Sequence, residues 1–328
     1  MMNDRIYSYS AVMMGSPILL KLYEDHQVAA KAAFQRIKQL ENLLTVNRDD
    51  SQLMAVNQAA GKHPVQVSNA VFELVAQAKN VSLLPDSAFN LAIGPVVKCW
   101  KIGFRGDKVP PADTIQHQLA LTHPEDVILD DVNQTIFLQQ AGMEIDLGAI
   151  AKGYIADAVR DRLREFGIQN GLINLGGNVL TLGSPQHEPQ QGWNIGLQKP
   201  FGHHDEFIGV MNVIGKSVVT SGIYERYFEQ NGEIYHHILD AKTGYPLNNE
   251  LLSVTVISDD SIDGDIYTTL LYGLGIEKSL ALLQQHPNIE AIFVTRNQEV
   301  VVSSEREFRF IAQSTNYQYF TATTFRSR

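Results

Sequence analysis

Apolar residues recur at helical spacing in some stretches of this chain and cluster in short runs in others, which predicts a mixed α and β protein. Over residues 25–44, Val28, Phe34, Ile37, Leu40 and Leu44 fall near the helical period of about 3.6 residues and make an amphipathic helix. Ser51 is placed to cap a short helix carrying Leu53, Met54 and Val56, after a polar turn at residues 45–51. Ser68 or Asn69 opens another, whose inner face is Val71, Leu74, Val75, Ala78 and Val81. Ile155, Val159, Leu163 and Phe166 form the face of a further helix that Gly167 ends. Residues 259–261 cap a later helix through Asp265, Thr269 and Leu271, which stops at Gly273 or Gly275 before a second helical stretch at 276–283. Strands are predicted as a pair over residues 10–23 broken at Met14-Gly15-Ser16-Pro17, a hairpin at 127–129 and 135–139, and runs at 172–175, 193–197, 208–213, 217–220, 254–257, 291–295 and 300–303. Residues 105–126 look like a polar excursion around Pro110-Pro111.

The stretch with the most unusual chemistry is residues 144–154, EIDLGAIAKGY. It is expected to begin as a short strand, pass through small residues and enter the helix that Gly167 ends. Gly148, Ala149 and Ala151 let another body approach the backbone, while Asp146 and Lys152 add charges that a structural turn does not require. A helix N-terminus beside a lysine suits a phosphate. Asp265 and Thr269, four apart, share one helix face, and oxygen side chains in that arrangement suit a hard cation together with a backbone carbonyl and phosphate oxygens. Lying near the capped start of its helix, Asp265 is expected to face solvent, so that its removal spares the fold. Paired glycines at 176 and 177, after an apolar strand, mark a tight turn or a close ligand approach. His237 is either a reacting group or a supporting one, and the adjacent His203 and His204 are read as solvated.

Composition narrows the field. The chain of 328 residues is 44% hydrophobic and 19% charged, a globular profile long enough for a large core, with no internal repeat or low-complexity segment. Its formal net charge is −10 and no run of Lys or Arg forms a basic stripe, which argues against nucleic-acid binding. A single cysteine, Cys99, rules out an intrachain disulfide framework. No apolar run approaches the roughly 20 residues of a membrane helix. The first residues carry no signal segment and no cysteine to lipidate, so a cytoplasmic location is expected, or a periplasmic one if the chain is trimmed from an exported protein.

Taken in order, several of these pieces resemble the ApbE-type FAD:protein FMN transferase family. They are residues 14–17, 51–57, 89–95 with Trp100 and Gly103-Phe104, 145–154, 174–178, 220–222 with Tyr224 and Arg226, the run HILDAKTGYP at 237–246, and Asp265 to Thr269 as D-x-x-x-T. The resemblance spans roughly residues 13 to 275. It implies an α+β fold, related to the T-fold, as a single domain over residues 1–328 with two lobes around a mixed, largely antiparallel sheet. It also implies Mg²⁺-dependent transfer of FMN from FAD to a threonine or serine of an acceptor flavoprotein, with release of AMP.

Carried across residue by residue, Asp265 and Thr269 would ligate Mg²⁺ with Thr268 close by, and the backbone carbonyl of Ala149 would complete the protein ligands. Asp146 and Lys152 would flank the bound FAD. Met14, Asn47, the Ala92-Ile93-Gly94 backbone, His237 and Leu239 would line the flavin and adenosine pockets. Asp265 or His237 would accept the acceptor hydroxyl's proton. The chain departs from the family at Asn47, where an aromatic residue, often Tyr, is usual, and at Asn178, where Asp is frequent. A site that Asn47 opens to water implies an alternative, hydrolysis of FAD to FMN and AMP. A non-catalytic flavin-binding protein is the third reading, and the Asp265/Thr269 pair argues against it, because storage needs no metal.

Overall fold

The computed structural model describes residues 5–23, 25–185, 192–203 and 205–327. In chain order the elements are β1 (Tyr7–Met13), β2 (Ser16–Leu22), α1 (Gln27–Leu44), α2 (Gln52–Gln58), β3 (Val65–Gln66), α3 (Asn69–Ser82), α4 (Gly94–Trp100), α5 (Ala112–Leu119), β4 (Val127–Asp130) and β5 (Thr135–Leu138). They continue as α6 (Ala151–Glu165), β6 (Gly171–Leu175), β7 (Asn178–Leu182), β8 (Trp193–Gln198), β9 (Phe207–Val213), β10 (Ser217–Gly222), β11 (Tyr227–Gln230) and β12 (Glu233–His236). The chain closes with β13 (Leu251–Ser258), α7 (Ser261–Leu283), β14 (Glu290–Thr295), β15 (Glu299–Val302), β16 (Phe308–Ala312), β17 (Gln318–Thr321) and α8 (Ala322–Arg326).

These elements gather into two compact units, one made of Met1–Gln39, Lys152–Gly222 and Glu250–Arg328, the other of Leu40–Ala151 and Ile223–Asn249. The first is built on a nine-stranded sheet in the order β1-β2-β6-β7-β10-β13-β14-β15-β17. Every adjacent pair in it is antiparallel except β15 with β17, so the mixed, largely antiparallel sheet expected from the sequence is present. Met14 and Gly15 close the β1–β2 hairpin with φ of 52° and 67°, the left-handed pair that a two-residue turn requires. A three-stranded sheet, β16-β9-β8, joins the large one through Trp193, Leu197, Ile208 and Met211, which share a core with Val218, Ile257, Ile292 and Val300. Helix α7 packs on β10 and β13, so closely that a Cβ added to Gly264 would lie 2.5 Å from Val219 Cγ2.

Glycine also sets the ends of helices here. Gly167, at φ 79°, ends α6, and the Ile168 N–H returns to the Leu163 carbonyl across it. Gly275 (φ 71°, ψ 173°) breaks the regular path of α7, and the Glu250 carboxylate accepts the Ile276 N–H that the break releases. The two helical stretches expected from the sequence are therefore present, and they meet at a kink at Gly275.

The second unit has a three-stranded sheet, β3-β5-β4, the β11–β12 hairpin and four short helices. Ser51 caps α2 by accepting the Met54 N–H at 2.9 Å, as its position predicts. The polar excursion contains α5, which the sequence reading misses because Ile115 is its one buried residue. Trp100 is fully buried, stacks on Tyr235, meets Tyr245 edge-on and donates from its indole N–H to the Gly244 carbonyl at 2.7 Å. The loop over residues 184–192 lies partly, and His204 wholly, outside the described residues.

Candidate functional site

In the first unit, α6 from Lys152 onward and the start of α7 hold one polar cluster. Asp265 is buried, and its two carboxylate oxygens have separate partners. Oδ2 accepts the Gly153 N–H at 2.6 Å, while Oδ1 accepts from the Asn178 side-chain amide at 3.1 Å. Asn178, itself buried at the head of β7, accepts the Ser261 hydroxyl at 2.7 Å through its own carbonyl. The expectation that Asp265 faces solvent is thus corrected. Its helix face turns toward α6, and partners 112 and 87 residues away in the chain cover it.

The hydroxyls of Thr268 and Thr269 both turn back to the Asp265 carbonyl, at 3.0 and 3.4 Å. Thr268 is fully buried and accepts the Ser221 hydroxyl at 2.9 Å, whereas Thr269 is half-buried. Lys152, in the first turn of α6, reaches the Gly176 carbonyl at 3.4 Å. Gly176 and Gly177 form the positive-φ turn between β6 and β7, and a Cβ at Gly176 would lie 2.5 Å from Ser16 Cβ and 3.3 Å from the Lys152 ammonium. Burial pushes the Asp265 carboxyl up to about 7, against the Gly153 and Asn178 hydrogen bonds and the Lys152 charge, which lower it.

Sequence reasoning missed Asp157. Its carboxylate accepts the Ser261 and Ile262 N–H groups, each at 2.9 Å, so it caps α7 from α6. Arg160 lies against it at 3.2 Å and also pairs with Asp260 at 2.8 Å. Burial raises Asp157 to about 6 despite these bonds. The available signal was an acid one helical turn beyond Gly153 on a helix read only for its apolar stripe.

The second unit holds the other residues singled out. The stretch before α6 joins no strand, contrary to expectation. The Asn57 side chain takes a strand's place, donating to the Ile145 carbonyl at 3.0 Å and accepting its N–H at 2.8 Å. Asp146 donates its N–H to the Leu91 carbonyl at 2.9 Å, and its side chain accepts the Gly148 N–H at 2.7 Å. A Cβ at Gly94 would sit 2.8 Å from the Glu144 carbonyl oxygen, so residues 144–146 run directly against the segment that ends in Ala92-Ile93-Gly94. Gly94 begins α4, with Pro95 in its first turn. Ala92 and Leu239 are buried, and Leu239 packs with Val96, Trp100 and Ile115, with Ile93 against the same cluster. The His237 N–H and ring Nδ1 both lie 3.2 Å from the Arg226 carbonyl. Asn47 and Ala149 are exposed, the latter in the turn that Leu147 closes onto Ile150 and Ala151. Met14 is half-buried in its hairpin turn in the first unit.

Among the described residues no group of three or more His, Cys, Asp and Glu converges as a metal site. The donor set at α7 is of another kind, one carboxylate with threonine oxygens. Each threonine hydroxyl spends its proton on the Asp265 carbonyl, which leaves oxygen lone pairs, and a carboxylate with one partner per oxygen retains further lone pairs. All of these are hard oxygen donors and fit a magnesium-like cation rather than one that prefers nitrogen or sulfur. Among the described residues no helix is long and apolar enough to cross a membrane.

A model of the ApbE family matches residues 14–293 of the chain. A curated relative from Klebsiella pneumoniae (strain 342), named FAD:protein FMN transferase, is 58% identical over 98% of this chain and 100% of its own. One of the same name from Treponema pallidum is 35% identical over 92% of this chain and 87% of its own. Among solved structures, the ApbE protein of Thermotoga maritima superposes with a TM-score of 0.80 at 28% identity, covering 90% of this chain and 96% of that one. The flavin transferase ApbE of Vibrio cholerae gives 0.78 at 25% identity, covering 95% and 98%. With its family match running from the β1–β2 turn to β14 and its α+β fold shared along nearly the whole length, the chain belongs to the ApbE family.

Proposed function

We propose that the protein transfers FMN from FAD to a threonine or serine hydroxyl of an acceptor flavoprotein, with AMP leaving and Mg²⁺ held at the head of α7. The observation that carries this reading is the buried Asp265 carboxylate set against the first turn of α6 beside Lys152, in a chain 58% identical to a relative named for the activity. Asp265 and Thr269 would hold the cation, with Thr268 behind them and the Ala149 carbonyl as a further donor. Bound there, Mg²⁺ would supply positive charge to the pyrophosphate oxygens.

The chain's own groups do the rest. The α6 N-terminus favours negative charge, and the Lys152 ammonium adds a point charge for a phosphate. The acceptor oxygen forms its bond to the phosphorus of the FMN half as the bond to AMP breaks. The hydroxyl proton leaves to Asp265 or His237, the two bases this reading admits. Asp146, the Ala92-Ile93-Gly94 backbone, Asn47, His237, Leu239 and Met14 are assigned to FAD. Lys152→Ala is expected to weaken FAD binding or turnover by about 1.5–3 kcal/mol, the range for a hydrogen bond to a charged group. An effect within error in a titration and a rate assay would return Lys152 to a purely structural bond with Gly176.

The direct test is incubation with FAD and Mg²⁺, with and without a threonine-bearing acceptor, resolving AMP, free FMN and acceptor mass. Transfer requires AMP release together with an acceptor heavier by one FMN. Free FMN and AMP regardless of acceptor would support the second reading, hydrolysis, which the exposed Asn47 favours because a short amide leaves room for water. In the same assay Asn47→Tyr is expected to lower hydrolysis relative to transfer, and an unchanged ratio removes Asn47 from the argument.

A further inference from the structure

Helices α6 and α7 exchange carboxylates. Asp157 on α6 accepts the N–H groups of Ser261 and Ile262, the first two residues of α7. Asp265 on α7 accepts the N–H of Gly153, the third residue of α6. Asp157 stands one turn beyond Gly153, and Asp265 one turn beyond Ser261, so the two contacts form a reciprocal latch. Each carboxylate satisfies amides that a helix start leaves without an internal partner, and each places negative charge where the helix dipole favours it. Between them the backbones nearly touch, because a Cβ on Gly153 would lie 2.3 Å from the Ser261 carbonyl oxygen. Arg160 backs the Asp157 side of the latch and ties it to Asp260.

We propose that Asp157 is a positioning residue for the transfer reaction: by capping α7 from α6 it fixes the Asp265 carboxylate beside Lys152. Both charged groups used on phosphate chemistry follow from that one contact, since Lys152 and Asp157 lie on α6 and Asp265 rides on α7. The second bond of the latch cannot do this alone. It acts through the Asp265 side chain, whereas the bonds from the amides of residues 261 and 262 hold the backbone of the helix start from which that side chain projects. This inference rests on the metal and phosphate roles assigned above to Asp265 and Lys152.

The test is Mg²⁺ affinity, measured by titration calorimetry on the intact protein well below its unfolding temperature, with kcat and KM for FAD measured separately. Two variants are compared. Asp157→Asn keeps one acceptor oxygen and turns an N–H₂ toward an N–H. Ile262→Pro deletes one donor in the first helical turn, where proline is tolerated, and leaves Asp157 untouched. Loss of an outer partner of a metal ligand typically weakens metal binding by about 10–100-fold, and a Mg²⁺ Kd raised about tenfold is expected in whichever variant folds, with a lower kcat. A lowered melting temperature with Mg²⁺ Kd and kcat unchanged would make Asp157 a stabilising cap and overturn the inference. Failure of the unaltered protein to bind Mg²⁺ would overturn the metal reading itself and is recognised before any variant is made.

Discussion

Asp265→Asn is expected to lower FMN transfer by about 10²–10³-fold, the range seen when one preorganised electrostatic group is removed, while the protein still folds. The substitution is nearly isosteric, and its neighbours can adapt. The new amide oxygen takes the Gly153 N–H, the Asn178 amide turns over to accept the new N–H₂, and the Ser261 hydroxyl accepts instead of donating. Asp265→Ala offers no such exchange. It leaves the Gly153 N–H and the Asn178 amide buried without their acceptor, at about 1–3 kcal/mol for each, so its activity loss is mixed with instability. Normal turnover in the Asn variant, with its fold verified by calorimetry, would remove Asp265 from the chemistry.

The same variant carries a pH signature. Folding raises the Asp265 carboxyl to about 7 from its ordinary value, which is about 3.9 in an unfolded chain. Between those values the native state holds a proton that the unfolded state has lost. The resulting stabilisation is complete below about pH 4 and disappears as pH rises toward 7. Asp157, raised to about 6, acts with the same sign over a narrower window. The metal-free protein should therefore melt at a higher temperature near pH 5 than near pH 7.5, and Asp265→Asn should flatten that slope to the Asp157 part. Mg²⁺ should oppose it, because a cation requires the carboxylate and expels the proton. Mg²⁺ binding that weakens as pH rises from 6 to 8 would contradict this.

Gly153→Ala is the second substitution with a large expected effect. The added methyl would meet Ser261 O at 2.3 Å, Ser261 C at 2.7 Å and Ile262 Cα at 2.6 Å. All three are backbone atoms, so no side chain can swing away and the helices must separate. Overpacking of this kind costs about 1–3 kcal/mol, and separation also lengthens the charged hydrogen bond from Gly153 to Asp265, worth about 1.5–3 kcal/mol. The better helix propensity of alanine, about 1 kcal/mol, offsets only part of this. Stability by denaturant titration should fall by roughly 2–4 kcal/mol, the combination of those costs, and turnover should fall with it. Stability equal to that of the unaltered protein would mean that α6 and α7 are not held at this distance.

Local signals carried much of the fold. The Met14-Gly15 turn, the Ser51 cap, the apolar face of α6 and its stop at Gly167 all depend on residues within a few positions of one another, and each is legible in the chain alone. What escaped depends on distant partners. The segment at Ile145 has a strand's apolar character, but a side chain from Asn57 provides its hydrogen bonds. Helix α5 hides in a polar stretch because Ile115 suffices to anchor it. The β11–β12 hairpin has few apolar residues of its own and rests its rings on Trp100, more than a hundred positions earlier. At the site, spacing placed Asp265 and Thr269 on one face but could not say what covers that face. Gly153, Asn178 and Asp157 come from α6 and β7, and a carboxylate that accepts hydrogen bonds across such distances looks, in sequence, like an ordinary solvated charge.

The strand order of the large sheet has a consequence for how the chain reaches its native state. β2 pairs with β6 in a register that sets Ile18 beside Leu175, and β13, from residue 251 onward, supplies the partner that β10 needs on one side. A growing polypeptide would present the β1–β2 hairpin long before either β6 or the central strands exist. Loop closure over such separations is slow, and unpaired strand edges invite association with other chains in the meantime. The stretch from Leu40 to Ala151 meets the same delay on a smaller scale, because its companion segment arrives only at Ile223. Slow refolding from denaturant, with yields that fall as protein concentration rises, is the kinetic cost of a sheet whose two edges are made from the two ends of the chain and whose middle strands lie far from both.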